Sequence, residues 1–211
     1  MMNRTPPPRT GTIRTDLQLI ADMVVPGSRV LDIGCGDGTL LSYLVHFKGV
    51  DGRGIELSPA GVSDAVAHGL AVIQGDAESV VADYPSDAFD YVILSQTLPA
   101  IFDVRPMLAE LLRIGRNAVV SFPNFAYWRL RAQLLINGRA PHSHILDAPW
   151  YSTQNIRLVT IADFLALASE LGVHVERAVL IGRDGRVRRV ARPGWFDNLR
   201  AEQAVFLISR D

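Results

Sequence analysis

Val30-Leu31-Asp32-Ile33-Gly34-Cys35-Gly36-Asp37-Gly38 decides how this chain folds. A β-prone apolar stretch carries an aspartate at its end, a tight glycine loop follows, and a helical pattern opens directly after it. Glycines suit such a loop because the backbone must reverse from strand to helix while staying bare enough for a ligand to lie against it. The next acidic strand end is Glu56, in Gly52-Arg53-Gly54-Ile55-Glu56-Leu57. It falls at the offset of roughly 20 residues at which nucleoside binders place a carboxylate on the ribose diol. The pair points to an adenosine-type ligand and leaves the reaction open.

Outward from this loop, strands and helices alternate. Apolar positions Leu17, Ile20, Ala21 and Val24 recur at helical spacing over Arg14–Val25, with Thr15 or Asp16 as cap and Pro26-Gly27 as stop. Strands are expected at 29–33, 52–57, 71–75, 89–94 and 117–122, with helices at 39–47, from Ser58-Pro59 onward, and at 104–114. This alternation predicts an α/β fold, a Rossmann-like doubly wound, mostly parallel sheet. A helix over Ile161–Leu171 then precedes two strands, Val173–Ile181 and Gln203–Ser209, with a turn at Arg183-Asp184-Gly185-Arg186. Seven strands result, the last antiparallel. Residues 1–13, with Pro6-Pro7-Pro8, read as a flexible arm, and 14–211 as one domain. The stretch 123–159 is too long for a simple connection and holds Tyr127, Trp128, Trp150 and Tyr151, so it reads as an elaboration, either a lid or a partner surface.

A chain of 211 residues, 48% hydrophobic and 20% charged, has the make-up of a soluble globular protein. Its net charge of -1 excludes general attraction to nucleic acid or to an anionic membrane surface. Cys35 is the only cysteine, so no internal disulfide forms, and a cytoplasmic setting is expected. The first residues lack the apolar core of a secretion signal, and no apolar run is long enough to span a bilayer.

Two ligand classes suit the loop. A nicotinamide dinucleotide wants Gly-x-Gly-x-x-Gly, but Thr39 stands at the third glycine position, and Asp37 would repel a pyrophosphate. S-adenosylmethionine carries cationic sulfonium and amino groups and no phosphate, which suits Asp32 and Asp37. With Asp-x-Gly-x-Gly-x-Gly in place, the chain resembles the class I S-adenosylmethionine-dependent methyltransferase superfamily over roughly Leu17 to Arg210. That resemblance implies that S-adenosylmethionine or S-adenosylhomocysteine lies against Asp32, Gly34, Cys35, Gly36 and Asp37. It further implies that Glu56 binds the ribose hydroxyls, Asp76 and Ala77 the adenine, and Ser95 and Gln96 the amino end, with Leu57 also among the ligand-binding residues. The alternatives at single positions are plainer: Asp76 as a helix cap, Glu56 as a solvated side chain, Cys35 as loop packing.

A closer likeness lies downstream. Ser121-Phe122-Pro123-Asn124-Phe125-Ala126-Tyr127-Trp128-Arg129, Gly138-Arg139-Ala140-Pro141, Trp150-Tyr151, Thr153-Gln154-Asn155-Ile156 and Thr160-Ile161-Ala162-Asp163-Phe164 resemble the MetW family of bacterial methionine-biosynthesis proteins. The resemblance implies a partner or activating subunit of homoserine O-acyltransferase; Ala126 and the stretch 140–146 depart from the family pattern. Acyl-transfer chemistry does not reside here, because Gly61-Val62-Ser63-Asp64-Ala65 lacks the last glycine of a nucleophile elbow. The competing reading is a genuine small-molecule methyltransferase. Against it stands Ser95-Gln96-Thr97-Leu98, where Asn-Pro-Pro-Tyr would mark an acceptor site. His142-Ser143-His144 reads as a solvated loop without enough neighbours for a metal, and no catalytic residue is assigned. Arg183, Arg186, Arg188, Arg189 and Arg192 read as a solvated hairpin or as a docking face for an acidic partner.

Overall fold

A computed structural model describes residues 13–210. The expected arm at 1–13 lies almost entirely outside the described residues. In chain order the elements are α1 (Thr15–Met23), β1 (Arg29–Ile33), α2 (Thr39–Lys48), β2 (Asp51–Glu56), α3 (Pro59–Ala67), β3 (Ala71–Gln74), α4 (Ala77–Val80), β4 (Phe89–Ser95), α5 (Val104–Ile114) and β5 (Gly115–Pro123). They continue with α6 (Trp128–Asn137), α7 (Ile161–Glu170), β6 (His174–Ile181), β7 (Val187–Val190), α8 (Trp195–Arg200) and β8 (Gln203–Ser209).

The strands form one sheet in the order β3-β2-β1-β4-β5-β8-β6-β7. The first five pair in parallel, and β8 runs antiparallel to both β5 and β6. The fold is the class I methyltransferase fold, with eight strands instead of the expected seven. The additional strand is β7. Gly182 N–H donates to Arg186 O at 2.9 Å, Gly185 takes a φ of +74°, and the arginine-rich run returns antiparallel along β6. Its residues Val187–Val190 are mostly exposed, so no buried alternation marked it as a strand. The arginines of this hairpin are solvent-facing, with Arg188 bonded to Asp197 at 2.9 Å.

Pleating sorts the central strands into two layers. Leu31, Ile33, Val92, Leu94, Val120 and Phe206 face one way, toward α5 and α7. Val30, Ile93, Val119 and Val205 face the other, toward α1 and α2. Burial on both faces is what a parallel sheet covered by helices requires. The start of α1 differs from expectation: Arg14 is its N-cap, with no side-chain cap, because Asp16 is drawn into an ion pair with Arg14 at 2.8 Å.

Asn124 anchors the elaboration. This fully buried side chain donates to Asn198 O (2.7 Å) and Ala201 O (2.8 Å) and accepts from Ala126 N (3.2 Å) and Ile161 N (3.3 Å). Both ends of the segment are thereby tied to the turn before β8. Between them lie α6 and an irregular stretch in which Trp150 and Tyr151 are exposed.

Candidate functional site

The strand order reverses between β1 and β4, and the crevice beyond their carboxyl ends is where open α/β sheets bind ligands. The loop joining β1 to α2 lies in that crevice. Gly34 and Cys35 donate to Ile55 O at 2.8 and 3.2 Å, strapping the loop to β2. Gly34 and Gly36 take φ values of +70° and +58°. A side chain at Gly34 would run into Thr97, whose hydroxyl donates to Ser95 O at 3.0 Å. At Gly36 a Cβ would meet nothing among the described residues, so its backbone forms an open wall.

A cavity of about 930 Å³ opens on this wall, within the range of small-molecule sites. Of the residues singled out in the sequence, Asp32, Gly34, Cys35, Gly36, Asp37, Ser95 and Gln96 line it together. Gln96 has a φ of +58°, strained for a residue with a side chain, and is held there by its N–H to Ser121 O at 3.0 Å. Glu56, Leu57, Asp76 and Ala77 do not line this cavity. Glu56 accepts from Gly36 N at 2.9 Å and from Ser58 N at 2.7 Å, so it braces the loop instead of lying solvated. Leu57 is 68% exposed beside it. Asp76 caps α4 by accepting from Glu78 N at 3.0 Å, as its plainer reading expects.

The opposite wall comes from α1 and α2 and was missed in the sequence. Leu17, Gln18, Tyr43, His46 and Phe47 line it, with Gln18 Nε2 3.4 Å from the Tyr43 hydroxyl. Their signal was there to find: Tyr43, His46 and Phe47 recur at helical spacing on a helix that starts in the glycine loop.

Asp32 dominates the electrostatics. It is 2% exposed, its Oδ1 has no hydrogen-bond partner among the described residues, and burial together with Glu56 pushes its pKa up to about 7. Cys35 is likewise pushed up to about 12 by burial and by Asp32 and Glu56. Its thiol therefore stays protonated, and it serves as packing: a Cβ on Gly54 would sit 2.7 Å from its Sγ. Burial pushes Asp37 upward too, but hydrogen bonds from Thr39, whose N–H lies 2.9 Å from Oδ1, bring it below its ordinary value. The cavity thus presents one ionised carboxylate at its rim and one poised carboxyl at its base, a donor set suited to a cationic ligand.

The histidines of the elaboration have other partners: His142 Nε2 lies 2.6 Å from Asp147 O, and His144 Nδ1 lies 3.3 Å from Glu202 Oε1. Tyr127 and Ala126 are buried, whereas Trp128 is half-exposed with Arg129 stacked at 5.3 Å.

Sheet order, glycine loop and crevice define a class I methyltransferase-fold protein. Solved structures agree on the fold: an S-adenosylmethionine-dependent methyltransferase from Thermotoga maritima superposes with a TM-score of 0.66 at 16% identity, covering 93% of this chain and 88% of that one. Another from Mesorhizobium loti gives 0.65 at 19% identity, covering 93% and 98%. Within that class the chain belongs to the family described as methionine biosynthesis protein MetW, whose model matches residues 14–208. The bifunctional methionine biosynthesis protein MetXA/MetW of Rhodopirellula baltica is 35% identical over 95% of this chain and 33% of its own length. The 2-ketoarginine methyltransferase of Streptomyces arginensis is 32% identical over 53% of this chain and 32% of its own length. The chain spans about a third of the length of these curated relatives.

Proposed function

We propose that this chain holds S-adenosylmethionine or S-adenosylhomocysteine against the glycine loop and acts as the partner or activating subunit of a homoserine O-acyltransferase. The observation that carries the ligand reading is the buried Asp32, whose Oδ1 has no hydrogen-bond partner among the described residues, beside the open backbone of Gly36. A sulfonium or ammonium group supplies the countercharge that Asp32 lacks, and a pyrophosphate does the opposite. Glu56, with two N–H donors already bound, retains lone pairs for ribose hydroxyls. Gly34, Cys35 and Asp37 would frame the methionine part, Ser95 and Gln96 its amino end, and Leu57, Asp76 and Ala77 the adenine. When bound, S-adenosylmethionine supplies a methyl group on a sulfonium; the residues here bind and orient it.

The partner reading rests on family membership and on a relative whose name joins MetW to MetXA in one protein. A cytoplasmic setting goes with this reading. Among the described residues no helix is long and apolar enough to cross a membrane. The competing reading, independent methyl transfer, draws on the complete loop and on similarity to named methyltransferases over about half of the chain. Calorimetry with S-adenosylmethionine, S-adenosylhomocysteine and NAD tests the ligand: heat only with the first two is expected, and binding of NAD alone overturns the assignment. Adding the chain to a homoserine O-acyltransferase should alter its acylation rate or stability. No change on mixing, with methyl label passing from the cofactor into a metabolite, favours the methyltransferase reading.

A further inference from the structure

A second cavity, of about 520 Å³, lies beyond Gln96, between the elaboration and the turn joining β6 to β7. Its lining includes Gln96, His144, Asp147, Arg183 and Glu202. We propose that this cavity binds a small α-amino-acid zwitterion, the ammonium on Glu202 and the carboxylate on Arg183.

Glu202 carries the inference. It is only 3% exposed, and neither carboxylate oxygen accepts a hydrogen bond among the described residues. Its backbone leaves it no freedom to escape: Glu202 N donates to Ile181 O at 2.9 Å, and Glu202 O accepts from Asn124 N at 2.8 Å. A buried carboxylate without donors is strongly unfavourable, and such a group in a cleft marks a place where a ligand supplies what the fold withholds. The neighbouring His144 forms an ion pair with Glu202 only when its imidazole is protonated, and donates no hydrogen bond to it. His144 Nδ1 sits 3.3 Å from Oε1, outside hydrogen-bond geometry, on a half-exposed side chain of the irregular elaboration.

The cavity also offers the opposite charge. Arg183 is exposed, makes no ion pair among the described residues, and lies close enough to act electrostatically on Glu202. An anion alone would meet the Glu202 charge, and an apolar guest would leave both charges without partners. A primary ammonium has three donors for the two carboxylate oxygens and a carbonyl or amide oxygen. A guanidinium accepts a carboxylate through paired N–H groups. A zwitterion of amino-acid size satisfies both ends at once. This site is separate from the one proposed for the adenosyl ligand, although Gln96 and Arg14 border both cavities.

Thermal-shift titration of the full chain tests the assignment, using the common L-amino acids at millimolar concentration, each beside its N-acetyl derivative and its decarboxylated amine, with and without saturating S-adenosylhomocysteine. At least one free amino acid should raise the midpoint by several degrees in both conditions, while its N-acetyl form and its amine do not. E202Q should abolish the shift, and R183A, at an exposed position that leaves the core intact, should weaken binding at least tenfold. Absence of any amino-acid shift, a shift that survives E202Q, or an amine that binds as well as its amino acid overturns the proposal. Failure of S-adenosylhomocysteine to bind while an amino acid still does would count against the first site and leave this one standing.

Discussion

The carboxyl edge of the sheet bears two buried carboxylates, Asp32 and Glu202, set in surroundings built by different means. Around Asp32 the structure is local. Loop and brace come from 34–39 and 54–58, tied together by Gly34 N and Cys35 N on Ile55 O and by Glu56 on Gly36 N, while α1, α2 and the end of β4 add the facing walls. Around Glu202 the structure is assembled from afar, with Asn124, His144 and Arg183 brought in by three separate segments. The braced loop of the first is a property of the β1-loop-α2-β2 unit, and the second surrounding is a property of the whole topology. They should therefore fail independently.

The largest separation is expected from Asn124→Ala. It strips donors or acceptors from four backbone groups, at about 1 kcal/mol each, and should lower stability in urea by about 3–4 kcal/mol. Hydrogen exchange should quicken over residues 125–160 while Val30–Ile33 keeps its protection. Equal loss in both regions would mean that the two surroundings are not independent.

Asp32 gives the next effect, through pH. Its folded pKa of about 7 lies above the ordinary carboxylate value of 3.8, so the native protein holds a proton that the unfolded chain releases. Its stabilising contribution is complete below about pH 4, falls by about 1.4 kcal/mol per pH unit as pH rises toward 7, and is flat above. Asp32→Asn should remove that slope and raise the melting temperature at pH 8. A cationic adenosyl ligand should bind more tightly as pH rises toward 7, with proton uptake by buffer visible in calorimetry.

Gly36→Val should cost about 1–2 kcal/mol of stability, from its left-handed φ, while reducing adenosyl-ligand affinity at least ~100-fold by filling the open wall. An amino acid in the second cavity should bind this variant normally. Smallest of all is Trp150→Ala: the side chain is 76% exposed, so stability should move by less than about 0.5 kcal/mol in either cavity's favour. Any loss of acyltransferase activation in that variant would then be read as lost partner contact.

The same contrast explains what the sequence made legible. The β1 loop, Glu56 and α5, whose bounds Val104–Ile114 match expectation, are written in adjacent residues, where glycine spacing and apolar periodicity carry the information. β7 was hidden because Arg188 and Arg189 give it no apolar face, and α8 because it is only six residues long after Gly194. Glu202 was not singled out in the sequence; it stands next to β8, which pairs between β5 and β6, and is buried there. The Phe-Pro-Asn-Phe segment was recognisable by resemblance, yet its physical reason, four hydrogen bonds from one amide, appears only when residues 74 and 77 positions further along return to meet it.

The placement of β8 also bears on synthesis. It follows both its neighbours in the chain yet lies between them, pairing Val119 with Leu207 and Val179 with Val205. While the polypeptide leaves the ribosome, β5 exposes a bare, apolar border until the final wedge emerges, a surface on which nascent chains aggregate or recruit chaperones. Closure of this sheet therefore waits on the strand that, among the described residues, is translated after its other seven.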